Sequence, residues 1–132
     1  MVNQEDLESY LIRMDLEFEE VDEGMYLVQP AEEGVPVVVH HTPPLLVVRL
    51  KVMTLPDSQE LGELYKNLLV WNATDVVHGA YGIEEGDLVL TDTLELETLD
   101  FPELQASLES MQMAAASHYD TIKGLAGTGQ EG

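Results

Sequence analysis

The chain has no cysteine. That excludes disulfides, thiolate chemistry and cysteine-based zinc sites, and it is compatible with a reducing compartment. Basic residues are nearly as scarce, with five Lys and Arg against 26 Asp and Glu and a formal charge of −21. Five cations cannot supply the phosphate contacts that nucleic acid or anionic lipid requires, so direct binding to either is not expected. No apolar run approaches the about 18 residues of a membrane span. The opening Met1-Val2-Asn3-Gln4-Glu5-Asp6 lacks the basic and apolar stretches of a secretory leader. The expectation is a cytoplasmic protein.

Catalytic and metal-binding patterns are missing too. There is no G-x-S-x-G, Walker A or dinucleotide glycine pattern, and the acidic runs lack calcium-loop spacing. His40 and His41 are neighbours in a strand pattern, so they point to opposite faces and do not chelate one ion. His78 and His118 have no ligand-spaced neighbours, and all four histidines read as structural. With 26 carboxylates, a nearby pair says nothing about acid–base chemistry. Asp92 alone stands out, because it interrupts an apolar strand face, and it reads as a sheet carboxylate bonded to backbone. No catalytic residue, cofactor or metal is expected, and the protein reads as a non-enzyme.

What is present is a pattern of amphipathic segments. Residues 43–56 form the strongest strand signal, bracketed by prolines. Leu46, Val48, Leu50 and Val52 fall on its apolar face, and Leu45, Val47, Arg49, Lys51 and Met53 on the other. Residues 4–15 read as a helix with Asn3 as the cap, and Leu7, Tyr10, Leu11, Met14 and Phe18 keep helical spacing. A ragged pair follows over 17–29, turning at Glu23-Gly24, and Pro30 to Gly34 reads as a turn. Val35 to His41 pairs with the central strand through Thr42-Pro43-Pro44.

Asp57-Ser58-Gln59-Glu60 matches a capping box ahead of a second helix, with Leu61, Leu64, Tyr65, Leu68 and Leu69 on its stripe and Asn72 as its stop. Trp71 reads as a core anchor. Strands follow over Val76–Ile83 and Leu88–Leu96, and Gly79 and Gly82 suggest a bulge or a close backbone approach. Asp100-Phe101-Pro102-Glu103 opens a last helix with Leu104, Leu108, Met111, Ala115, Tyr119 and Ile122 on one stripe. The fold class is α+β, a curved antiparallel sheet with three helices in the order α-β-β-β-α-β-β-α, the first run holding two to four strands. One domain over 1–123 and a flexible glycine-rich tail over 124–132 are expected.

Charge is unevenly distributed. No Lys or Arg occurs between Lys66 and Lys123, and Asp15 to Glu23 is a second acidic block. A solvated face is the plain reading; the sharper one is a docking surface for a basic segment.

The succession Val35-Pro36-Val37-Val38-Val39, Leu45–Leu55, Leu55-Pro56-Asp57, Leu68-Leu69-Val70-Trp71-Asn72, Tyr81-Gly82-Ile83, Leu88-Val89-Leu90 and Leu94-Glu95-Leu96 before a long last helix resembles the YbjN-like family, whose fold is similar to that of type III secretion chaperones. The resemblance covers residues 4 to 123. It implies a small, acidic, non-enzymatic protein, commonly dimeric, that binds other proteins in a chaperone-like or regulatory role. The client it implies is extended or flexible, and the charge suggests a basic one, such as a nucleic-acid-binding protein. Glu17, Glu19, Glu20, Leu45, Val47 and Met53 are the candidate contacts. A small-ligand or metal-responsive regulator, with Asp92 and a histidine in a pocket, is the alternative.

Overall fold

The computed structural model describes residues 1–31, 34–57 and 60–127. The element order is α1 (Gln4–Arg13), β1 (Phe18–Asp22), β2 (Met25–Val28), β3 (Val37–Thr42), β4 (Leu45–Thr54), α2 (Gly62–Thr74), β5 (Ala80–Glu84), β6 (Asp87–Glu95) and α3 (Phe101–Ala126). The strands form one antiparallel six-stranded sheet ordered β1-β2-β3-β4-β6-β5. The expected α+β class holds, and the first run, expected to hold two to four strands, holds four.

Alternation decides the two faces of the sheet. Leu46, Val48 and Leu50 are fully buried and share a face with Val37 and Val39 of β3 and Leu90 and Leu94 of β6. Leu7 and Leu11 of α1, Leu64 and Leu68 of α2, and Leu104, Leu108 and Met111 of α3 join the same core. Among the described residues, the three helices therefore cover one face and none lies on the other.

α1 starts on a reciprocal cap, in which the Asp6 N–H donates to Asn3 Oδ1 at 2.8 Å and the Asn3 N–H to Asp6 Oδ2 at 3.1 Å. α3 starts on Asp100, whose carboxylate accepts from the Glu103 N–H at 2.8 Å. α2 departs from expectation. It begins at Gly62 with Leu61 in the cap position and no side-chain cap bond, while Ser58 and Gln59 of the expected capping box lie outside the described residues. Glu32 and Glu33 of the expected turn lie outside them as well.

The C-terminus also differs. α3 continues three residues past Lys123 to Ala126 and closes on Gly127 at φ 81°. Ala126 is buried and Leu125 packs on the core, so apolar contact holds a turn whose glycines suggested fraying. Residues 128–132 lie outside the described residues. Of the two strand glycines, Gly79 is required: its φ is 89°, and a Cβ there would sit 2.6 Å from the Thr91 carbonyl oxygen. Gly82 faces open space.

Candidate protein-binding surface

The helix-free face of the sheet is built by strand register. Leu27, Val38, Arg49, Thr91 and Ala80 lie in one row, and Met25, His40, Val47 and Thr93 in another. Thr42, Leu45 and Glu95 make a third. Met25, Leu27, Val38, Leu45 and Val47 are half-buried, so apolar area reaches solvent across β2–β4. Val89 of β6, between Lys51 and Gly82 in register, is buried.

On the β6–β5 side the strand's two cations are engaged. Arg49 Nε lies 3.1 Å from Glu84 Oε1, at ion-pair distance without hydrogen-bond alignment, and Lys51 Nζ lies 3.6 Å from Asp87 Oδ1. Both pairs are open to water and contribute little to stability. On the far side the sheet ends at β1, which is paired only with β2. Glu17, Glu19, Glu20, Asp22 and Glu23 are exposed there, and among the described residues no ion pair reaches them.

The six candidate contacts divide. Glu19 sits beside Leu27, on the face that also carries Leu45 and Val47. Glu17 precedes the strand, and its carbonyl accepts from the Gln29 N–H at 2.8 Å. Glu20 pairs with Tyr26 on the core side, and its carboxylate accepts from the Gly24 N–H at 2.9 Å, closing the hairpin. Met53 corrects the expected alternation. The register slips between Lys51 and Met53, so Met53 lies opposite Leu88 and packs against the core, away from Leu45 and Val47.

A second apolar surface follows α2. Leu69 is 70% exposed and Val70 49%, with Tyr65 beside them and Val77 and Ile83 exposed in and after the next connection. Leu69 and Tyr65 were expected on the buried stripe, but Leu61, Leu64 and Leu68 are the members of it that enter the core, with Trp71 packed against it. The signal was there, since Leu68-Leu69-Val70-Trp71 is too wide an apolar arc for one buried stripe.

Two half-open clefts, of about 320 and 340 Å³, flank Gln112 of α3. Met14, Leu16, Val28, Val37 and Leu108 line the first, and Val35, Val52, Ala115 and Tyr119 the second. The Gln112 amide divides them, accepting from the Val35 N–H at 3.1 Å and donating to the Val35 carbonyl.

Other polar side chains join one element to another. Asp92 was expected to bond backbone; among the described residues its partner is a side chain, buried Ser107 Oγ, which donates to it at 2.7 Å and joins the sheet to α3. Asn72 does not stop α2; it accepts from the Tyr81 N–H at 2.8 Å and donates to the Tyr81 carbonyl at 3.3 Å. His41 bonds the Val2 carbonyl at 2.9 Å, while His40 takes the other face. Among the described residues no cluster of His, Asp and Glu could hold a metal ion.

Two tyrosines are held un-ionised. Burial first, then the hydrogen bond to Glu8, pushes the Tyr26 phenol well above its ordinary range, and burial with nearby Asp75 does the same to Tyr81. An acid whose folded pKa is raised adds stability that is present below its unfolded pKa and lost as pH rises. Stability should therefore fall above about pH 10. Phenolate absorbance should show these two among the five tyrosines ionising only with unfolding. Ionisation of all five before any loss of helical circular dichroism would contradict this.

Residues 2–128 match the CesT_Tir_1 family, a type III chaperone family, and the chain belongs to it. Solved structures share the fold. A chain of the ExoU–SpcU complex from the type III secretion system of Pseudomonas aeruginosa is 18% identical, with TM-score 0.67, over 89% of this chain and 94% of that one. YbjN from E. coli is 15% identical, with TM-score 0.68, over 91% and 93%. A chain of the Yersinia pestis secretion chaperone SycH bound to a fragment of YscM2 is 19% identical, with TM-score 0.61, over 84% and 94%. No curated protein matches the sequence. The family is one of non-enzymatic chaperones that bind proteins; this chain is a protein-binding member and not an enzyme. No helix among the described residues is long and apolar enough to cross a membrane.

Proposed function

We propose that this protein is a homodimeric, chaperone-like or regulatory binder of a flexible, basic protein segment, acting in the cytoplasm. The observation that carries the reading is the edge strand β1, whose exposed acids lie without cationic partners, among the described residues, beside the apolar helix-free face. Charges on an edge deter another copy of this acidic chain from pairing there, and they admit a segment of opposite sign. An extended segment would add backbone hydrogen bonds along β1 and seat alternate side chains toward Glu19 and Leu27, and its continuation across the helix-free face would meet Val38, Val47 and Leu45. A basic unstructured tail suits that site at the cost of ordering on binding, and nucleic-acid-binding proteins commonly carry such tails. The α2 surface supports the dimer. The helix itself carries one acid, Glu63, and one base, Lys66, so two copies of a strongly acidic chain meet along it with little repulsion, while Asp75 and Glu84 lie close to Val77 and Ile83 in sequence.

Affinity capture at low salt, repeated at about 0.5 M where screening shortens to a few Å, tests the reading. One or two basic partners should be retained at low salt and lost at high salt, and Glu19→Lys should reduce their capture. A protein that emerges without partners at both salts would sink the electrostatic part of the proposal.

A further inference from the structure

At the end of α2 a short chain of side chains is organised around a buried imidazole. His118 of α3 is 7% exposed. Its Nε2 lies 3.2 Å from Asp75 Oδ2 and its Nδ1 lies 2.7 Å from Tyr81 Oη. The ring stacks on Trp71, with centroids 3.9 Å apart and planes 3° from parallel. Tyr81 Oη has a second acceptor within reach, the Ala114 carbonyl at 3.4 Å.

This arrangement is satisfied in either protonation state of the ring. Neutral His118 donates Nε2–H to the Asp75 carboxylate and accepts the Tyr81 hydroxyl hydrogen at Nδ1. The imidazolium keeps the first bond and donates Nδ1–H to Tyr81 Oη, and the hydroxyl hydrogen turns to the Ala114 carbonyl. No donor is stranded by the change. The added charge faces an ionised carboxylate on one side and an indole face on the other, both of which attract a cation. The titratable groups facing the ring are Asp75 from the end of α2 and Tyr81 from β5. On α3 its neighbours one turn away, Ala114, Ala115, Thr121 and Ile122, carry no charge. His78, in the connection between α2 and β5, meets α3 through its backbone N–H, which donates to Ser110 Oγ at 3.3 Å. Asp75 is 51% exposed at its side chain, so the chain opens to water at one end.

We infer that Asp75, His118 and Tyr81 form a proton-operated latch, in which proton uptake by His118 draws the α2–β5 connection more tightly onto α3. The connection carries Val77, and β5 carries Ile83, both part of the apolar surface assigned above to the dimer. Tightening the latch would order that surface and strengthen self-association, a consequence that rests on the dimer reading, whereas the latch itself does not.

Trp71 is the chain's one tryptophan and reports the stacked ring directly. Imidazolium quenches a stacked indole more than imidazole does. Emission should fall in one sigmoidal step as the solution is acidified from neutral pH. His118→Phe and His118→Gln should abolish the step, the second keeping hydrogen-bonding capacity without a titrating group. His78→Gln should leave it in place. Flat emission in the unaltered protein, or a step that survives both His118 variants, overturns the latch. Sedimentation at the same pH values separates the two readings. A dimer tighter at low pH, with the difference lost in His118→Gln, supports the coupling. A pH-independent dimer with the emission step intact overturns the coupling alone, and a monomer throughout overturns the dimer while the emission step still decides the latch.

Discussion

Leu46→Ala should lower the free energy of unfolding by about 3 kcal/mol, while Leu45→Ala, one residue earlier, should change it by less than about 1 kcal/mol. The two side chains are chemically identical and stand on opposite faces of β4. Leu46 is fully buried opposite Leu94, beneath the helices, so truncation removes transfer free energy and leaves a cavity. Leu45 is half-buried opposite Thr42 and Glu95 on the helix-free face, where water replaces what is removed. A loss of about 3 kcal/mol is a large share of the about 5–15 kcal/mol that holds a domain together. Urea unfolding followed by Trp71 emission reads both values. The binding effect should run the other way at permissive temperature, with Leu45→Ala reducing client capture and Leu46→Ala sparing it once folded. Equal destabilisation by the two variants would mean that the face carrying Leu45 is not open.

Leu69→Glu combined with Val70→Glu should convert a dimer to a monomer without altering the fold. Both residues project from α2 into solvent within the chain, at 70% and 49% exposure, so glutamate costs the isolated fold little. Across a two-fold interface each change is felt twice. Losing about 1.5 kcal/mol or more of burial per side chain, with added repulsion between carboxylates, predicts at least a hundredfold weaker self-association. Sedimentation equilibrium with far-ultraviolet circular dichroism measures both halves of the expectation. A double variant that stays dimeric would move the interface elsewhere. An unaltered protein that is monomeric at high concentration would remove the dimer from the proposal.

The parts of this protein legible in the sequence are those fixed by neighbours along the chain. Asn3 and Asp100 mark their helix starts because a cap needs only the next few residues. Leu46, Val48 and Leu50 declare a buried strand face because side chains alternate with period two. The acidic block at β1 was visible as charge, and its place on a sheet edge was not. The alternation failed at Met53, because a bulge is a property of two paired strands and β6 lies more than thirty residues further on. The α2 stripe was overcounted because periodicity gives the apolar arc of a helix and not the width of the groove that receives it.

The sequence by itself determined the α+β class, the absence of thiol chemistry, the negative field and the positions of most helices and strands, since each follows from composition or from spacing within one segment. Only the tertiary structure decided that all three helices cover the same face and leave Leu45 and Val47 on the other. It alone gave Asp92 a partner in Ser107 and placed Asp75 and Tyr81, far from α3 in sequence, at the two nitrogens of His118. Hydrogen bonds of a few Å between segments so far apart depend on how whole elements pack, and no local pattern of residues encodes that distance.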